Sequence, residues 1–262
     1  MGVTVTVWAP AKLTVSLRII GVRPDGYHLI DAEMVSLDVA DRLDVALDPT
    51  GDDALEIVDP DRRAPGCVAG PENLVTRALA VAGRRGRVTL TKSIPDGAGL
   101  GGGSADAAAI LRAVGHTDGA TALRLGADVP FCVVGGRARV EGIGEIVTPL
   151  DPVEMTVTLV TPPVPVSTPA VYAAWDRQGE PTGEFGNDLE AAACDVGNGL
   201  VAWRTVIEER TGHRPRLAGS GSTWWLEGDH VDALEGVTVE GSRPRLLAAA
   251  RTVPAGWDGR RA

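Results

Sequence analysis

A chain of 262 residues, 44% of them hydrophobic, is long enough to bury a substantial core as one large domain or two small ones without disulfide support. Its formal charge of −10 argues against nucleic acid or an anionic membrane as partner, since both require a basic face. Cys67, Cys132 and Cys194 are odd in number, far apart and free of any C-x-x-C pair, so neither a disulfide framework nor a zinc site is indicated, and a reducing cytoplasm fits.

The first residues, "MGVTVTVWAPAK", lack the basic start and apolar block of a signal peptide, and no apolar run approaches bilayer-spanning length, so a soluble protein is expected. Val3, Val5 and Val7 alternate with Thr4 and Thr6, and Leu13, Val15 and Leu17 with Thr14, Ser16 and Arg18. This pattern predicts two half-buried strands joined at Pro10. "RPDGYH" reads as a turn and "MVSLDVADRLDVAL" as a further strand. "NLVTRALAVA" is helical from Asn73 to Ala82, with Asn73 as N-cap and Gly83 as stop. "RVTLTKS" alternates as a strand, and a helix is predicted from about Ser104 to Val114.

A short helix near Ala120 to Leu125 leads to "GADVPFCVVGG", and "RARVEGIGEIVTPL" ends the first half in strands. "MTVTLVTPPVPVSTP" opens the second half with a strand and a proline-dense stretch unsuited to central sheet. Helices around 187–196 and 198–211, a strand in "RPRLAGSGSTWWLEG" interrupted by small residues, and a last strand "RLLAAARTV" complete the chain. Strands and helices mix without strict alternation, which predicts an α+β fold with two lobes, 1–150 and 151–262.

Five of the seven residues from Gly97 to Gly103 are glycine. Gly97-x-Gly99-x-x-Gly102 satisfies a dinucleotide fingerprint, but "KSIPD" separates the loop from its strand, and no Gly-Lys-Ser/Thr closes a P-loop. A loop capping the N-terminus of the next helix remains: bare backbone approaches a phosphate, successive N–H groups point at it, and the helix dipole favours its charge. Lys92, one of only two lysines in the chain, stands five residues upstream as a potential point charge. A flexible surface loop would also use glycine, although it has no reason to abut a helix with Ser104 in the capping position.

"IPDGAGLGGGSADAAAIL" resembles the second motif of the GHMP kinase superfamily, and "RLAGSGSTWW" resembles the third. "PAKLTVSLRIIGVRPDGYHLI" and "LGADVPFCVVGGRARVEGIGEIVTPLDP" are similar to segments of its 4-diphosphocytidyl-2-C-methyl-D-erythritol kinase family. "NLVTRA", "VSTPAVY" and "NDLE" agree more weakly in the same order, so the similarity spans nearly the whole chain.

The resemblance implies a two-lobed fold, an N-terminal lobe like ribosomal protein S5 and a ferredoxin-like C-terminal lobe. It also implies transfer of the ATP γ-phosphoryl group to the 2-hydroxyl of a cytidine-diphosphate-linked methylerythritol. Asp128 matches the catalytic aspartate, which would accept or orient the hydroxyl proton; from the residues alone, Asp before Val-Pro equally suits a turn or cap. Lys12 matches the catalytic lysine, whose ammonium would stabilise charge on the transferred group. Pro95, Gly97, Gly99, Leu100, Gly101, Gly102, Gly103 and Ser104, with Lys92, match the ATP loop. Asn73 would lie near the adenine, though its capping role suffices to explain it.

Tyr27 and His28 match the cytosine site, where Tyr27 can stack and His28 can offer one donor and one acceptor. Tyr172 matches the opposite stacking aromatic, and Thr168 falls in the same region. Gly219 and Ser220 would let backbone approach the phosphate end, a feature a β-bulge explains as well. Mg²⁺ is expected with ATP, with no certain ligand and Ser104 the one candidate by position. Thr14 stands where the family commonly has asparagine, Ala105 where many relatives have a second serine, and the stretch from Ala109 to Leu125 is shorter than usual by about two helical turns. Two other readings stay open: a homoserine- or mevalonate-type kinase of the superfamily, and a nucleotide-binding protein without catalysis.

Overall fold

The computed structural model describes residues 4–48 and 53–260; Val3 of the predicted alternation lies outside them. Strand β1 runs from Thr4 to Val22 and β2 from His28 to Leu47, forming one long antiparallel hairpin. Its turn is closed by Arg23 N–H donating to Tyr27 O at 2.8 Å, with Gly26 at φ 87°. The predicted break at Pro10 is instead a shift of register between Pro10 and Lys12 within a single strand. Proline has no N–H for the ladder, and a bulge absorbs that loss without ending the strand.

Along its other edge β2 meets three partners in turn. The next elements in the chain are β3 (Ala54–Val58), helix α1 (Leu74–Val81) and β4 (Gly86–Thr91). Then come α2 (Gly102–Ala113), α3 (Gly119–Leu125), α4 (Val129–Val134), β5 (Arg137–Gly142) and β6 (Ile146–Pro149). On β2, β5 pairs along Ile30–Val35 and β4 along Arg42–Leu47; β3 adds to β4 in parallel and β6 to β5 antiparallel. The third partner comes from the far end of the chain. After β7 (Thr156–Thr161), α5 (Thr168–Arg177), α6 (Glu190–Val196), α7 (Leu200–Thr211), β8 (Arg216–Leu217), β9 (Trp224–Glu227) and α8 (Val231–Leu234), strand β10 (Leu246–Val253) lies antiparallel to β7. Its last residues, Thr252 and Val253, then reach Leu37 and Ser36 of β2.

Asn73 caps α1 as predicted, its Oδ1 accepting from Val75 N–H at 2.9 Å, and Gly83 follows the helix at φ 62°. Helix α2 starts two residues before its predicted position, with Gly101 as N-cap at φ 68° and no side-chain cap. Ser104 therefore sits inside the first turn rather than at the cap, because the glycine backbone makes the reversal itself. The alanine run of α2 is buried on every side, so the helix lies close to β1 and β2. Strand β3 and helices α4, α5 and α8 were not predicted.

Two apolar clusters form the core. The larger lies between the helices and the sheet, and includes Leu43, Leu90, Ile110, Phe131, Trp203 and Trp224. The smaller joins Ala11, Leu13 and Leu37 of the hairpin to Leu159 and Trp225 of the later strands. Ile94, Ala98 and Leu100 of the glycine loop and Ala218 belong to this second cluster. The loop is thus anchored by three apolar side chains, which a flexible surface loop would not be.

Candidate active site

Lys12 follows the register shift in β1, and its N–H donates to Leu100 O at 3.0 Å instead of to β2. The shift thereby ties the lysine to the glycine loop. Its side chain is 7% exposed, with Nζ 3.4 Å from Asp128 Oδ2 and donating to Thr14 Oγ1 at 3.3 Å. Asp128 immediately precedes α4 but makes no capping bond, so its carboxylate is left to the lysine and to solvent. Thr14, two residues on in an extended strand, lies on the same face as Lys12.

These groups sit in the wall of a cavity of about 620 Å³. Gly99 and Ser104 of the glycine loop, Gly219 and Ser220 of the second glycine stretch, Thr168, Tyr172, Tyr27 and His28 also line it. Residues from six separate stretches of sequence therefore converge. Gly219 comes close to the Lys12–Thr14 pair: a Cβ there would stand 3.5 Å from Thr14 Oγ1 and 3.7 Å from Lys12 Nζ. Thr168 and Ser220 share a hydroxyl–hydroxyl bond of 2.8 Å, joining the start of α5 to that stretch.

At the other end His28 is held by three neighbours. Nε2 is 2.7 Å from Asp176 Oδ1, the Tyr172 ring centroid is 4.7 Å away, and Trp175 meets the ring edge-on at 5.6 Å. The Tyr172 phenol is pushed up to about 12, chiefly by burial and then by the charge of Asp128, so at neutral pH it keeps its proton. Tyr27 is 59% exposed at the mouth, free to close on a planar group.

Lys92 is not the point charge that its place upstream of the loop suggested. It is 3% exposed beneath Gly102, with Nζ donating to Asp106 Oδ2 at 2.8 Å and to Asp41 Oδ2. Burial works against its charge, but Asp106 and Asp41 outweigh burial and raise its pKa. Two buried aspartate side chains thus hold the ammonium away from the cavity. Asn73 likewise does not line the cavity; its amide oxygen accepts from Val75 N–H to cap α1, and its Nδ2 donates to Val68 O of the preceding loop at 2.9 Å. Pro95 and Leu100 are buried, and Gly97 and Gly101 of the loop, like Gly102 and Gly103 that open α2, do not line the cavity. Gly101 nevertheless touches the site, since a Cβ there would come within 2.7 Å of Lys12 Cγ.

Asn187 and Asp176 were missed. The buried Asn187 donates through Nδ2 to Leu217 O at 2.9 Å and Gly219 O at 2.8 Å, fixing the second glycine stretch. Asp176 belongs to α5, whose start was signalled by Thr-Pro, with Pro169 in its first turn. Reading that signal would have put Tyr172 and Asp176 on one helix face at i, i+4. No cluster of three or more His, Cys, Asp or Glu able to hold a metal occurs among the described residues.

Residues 73–136 match the family described as GHMP kinases N terminal domain. A 4-diphosphocytidyl-2-C-methyl-D-erythritol kinase from Paracoccus denitrificans is 39% identical over 234 residues, covering 82% of this chain and 84% of that protein. The chain belongs to the 4-diphosphocytidyl-2-C-methyl-D-erythritol kinase family. A Moorella thermoacetica member of this kinase family is 35% identical, with 93% of each chain covered. A crystal structure titled 4-(cytidine 5'-diphospho)-2C-methyl-D-erythritol kinase superposes with a TM-score of 0.73 at 30% identity, covering 97% of this chain and all of that one. Mevalonate kinase from L. major shares the fold at a TM-score of 0.68 and 13% identity. The fold is thus the α+β GHMP kinase fold, the protein is a small-molecule phosphotransferase, and membership of this kinase family implies ATP as co-substrate. Among the described residues no helix is long and apolar enough to cross a membrane.

Proposed function

We propose that the protein transfers the γ-phosphoryl group of ATP to the 2-hydroxyl of 4-diphosphocytidyl-2-C-methyl-D-erythritol, a step toward isoprenoid precursors, in the cytoplasm. One observation carries the reading: Lys12 stands between Asp128, at 3.4 Å, and the backbone of Gly101 at the N-terminus of α2. The uncapped amides of that helix start suit a polyphosphate. The lysine is therefore in reach of both the attacking and the transferred groups.

In this reading Asp128 takes or orients the proton of the acceptor hydroxyl, which its ionised carboxylate can only do as an acceptor. Lys12 stabilises the charge spreading over the phosphoryl oxygens, in a site where burial strengthens the effect. Thr14 keeps Lys12 directed at Asp128 where relatives commonly use asparagine. That bond favours an active enzyme over a binding protein without catalysis. Tyr27, His28 and Tyr172 would hold the cytosine, with Thr168, Gly219 and Ser220 along the diphosphate. Mg²⁺ fits as a companion of ATP, because Mg²⁺ takes most ligands from phosphate and water. Ser104, which lines the cavity and whose hydroxyl has no hydrogen-bond partner among the described residues, would hold it, and the ion would neutralise polyphosphate charge. Residues 1–150 and 151–262 would act as two lobes closing on the two substrates.

The test is ADP release with Mg²⁺ and ATP, comparing the cytidylylated alcohol with methylerythritol phosphate, homoserine and mevalonate. Turnover with the first alone is expected, falling about 10²–10⁴-fold in Asp128→Asn. Turnover with homoserine or mevalonate would overturn the acceptor, and full activity of the variant would overturn the role of Asp128.

A further inference from the structure

We infer that Asp176, through its hydrogen bond to His28, is the positioning residue that makes this cavity select a 4-amino pyrimidine over a 4-oxo pyrimidine. The inference rests on reading the cavity as the site of a cytidine diphosphate group. It concerns how the base is chosen, on which membership of the family says nothing for Asp176.

An ionised carboxylate can only accept hydrogen bonds, so Asp176 Oδ1, 2.7 Å from Nε2, requires the neutral imidazole to carry its proton on Nε2. Nδ1 is then left with a lone pair. It has no partner among the described residues, while His28 lines the cavity. A cytosine placed against it donates from its 4-amino group. At the same pose uracil presents a 4-oxo oxygen, and two lone pairs would face each other. The ring cannot readily turn to offer the other nitrogen, because its side chain is 11% exposed and lies between Tyr172 and the edge-on Trp175.

The location of Asp176 argues for this role over a purely structural one. It lies in the last turn of α5, where the helix dipole disfavours a carboxylate. Among the described residues its side chain is hydrogen-bonded to His28 alone. Its side chain is 47% exposed, so removing it opens no hole in the core. The spacing from Tyr172 puts the stacking ring and the tautomer-setting carboxylate on one helix face.

The experiment measures binding of CDP and UDP by calorimetry, with ADP and Mg²⁺ saturating so that the ATP site is filled, in wild type, Asp176→Ala and Asp176→Asn. Wild type should favour CDP by about tenfold or more, the scale of one mismatched buried hydrogen bond. Asp176→Ala should bring the two ligands to within about threefold of each other, by the same scale. Asp176→Asn, whose amide oxygen still accepts from Nε2–H, should retain part of the preference. The ¹⁵N spectrum of His28 should show the Nε2–H tautomer in wild type and a mixture in Asp176→Ala, a change that loss of a mere structural contact would not produce. An unchanged CDP:UDP ratio in Asp176→Ala, even with both ligands weakened, would overturn the inference, as would a wild type indifferent to the base. Failure of the acceptor assignment would look different: CDP preference lost in Asp176→Ala, but no turnover of the cytidylylated alcohol by wild type.

Discussion

Replacing Lys92 by methionine separates the two roles this residue could have. The side chain is buried with Asp41, fully enclosed, and Asp106, 2% exposed. Asp41 would keep two donors, the N–H groups of Ser93 at 2.5 Å and Ile94 at 2.9 Å. Asp106 would keep none, since the ammonium is its hydrogen-bond donor and its Oδ1 is already buried without a partner. Breaking a buried ion pair on one side costs about 3–5 kcal/mol. The lower end applies, because the Asp106 carboxyl, pushed up to about 8 by burial and by the charge of Asp41, already holds a proton near neutral pH and leaves no second bare charge, while Asp41 keeps its two backbone donors. At about 2–4 °C per kcal/mol for a chain of this size, a loss near 3 kcal/mol lowers Tm by about 6–12 °C. Calorimetry and urea titration of Lys92→Met measure it, and adding Asp106→Asn should restore part of the loss through coupling within the cluster. A Tm within about 2 °C of wild type, less than 1 kcal/mol, together with a raised KM for ATP, would refute this reasoning. That result would return Lys92 to a phosphate contact.

Two further outcomes follow from the same cluster and its neighbour. Folded Asp106 holds its proton up to about pH 8 whereas the unfolded side chain loses it near the ordinary aspartate value of 3.8. Unfolding therefore releases a proton between those values, and this group's contribution to stability falls as pH rises through that window, by at most about 1.4 kcal/mol per pH unit. Asp106→Asn removes the dependence, so its Tm should gain on wild type from pH 5 to pH 8; a constant difference would contradict the assignment. Gly101→Ala puts a Cβ 2.7 Å from Lys12 Cγ on a backbone at φ 68°. It should cost about a hundredfold in kcat by displacing the ammonium, and steady-state kinetics at saturating ATP would expose unchanged turnover.

Much of the fold and the site was legible where a residue type has one physical use. Alternation gave most strands, Asn73 and Gly83 bracketed α1, and the glycine run announced a helix start on bare backbone. Lys12, Asp128, His28 and Tyr172 were reached through the family resemblance, and the structure brings them to one cavity. What stayed hidden depends on contacts distant in sequence. Nothing local to Lys92 says that Asp41 and Asp106, 51 and 14 residues away, will enclose it. Nor does Asp176 declare itself, since its partner His28 lies 148 residues off. Helix α5 was lost to an emphasis on prolines, although Pro169 is a helix-starting proline.

The glycines themselves resolve into different requirements once the neighbours are known. At Gly99 an added Cβ would lie 2.5 Å from Ala218 O and 2.7 Å from Gly221 O, so the two glycine stretches meet backbone to backbone. The contact is sealed by Thr223 N–H donating to Ala98 O at 3.1 Å. At Gly101 the obstacle is the stem of Lys12, whose own N–H is bonded to Leu100 O. Composition alone suggests mobility, yet each contact removes a degree of freedom from the loop. The bare backbone serves close approach: it lets three chain segments, carrying the helix start, the lysine and the second glycine stretch, come within van der Waals distance of one another. A side chain at either glycine would push the start of α2 away from the second glycine stretch or from the stem of Lys12. Rigidity here comes from the neighbours, and glycine is what permits them to be neighbours.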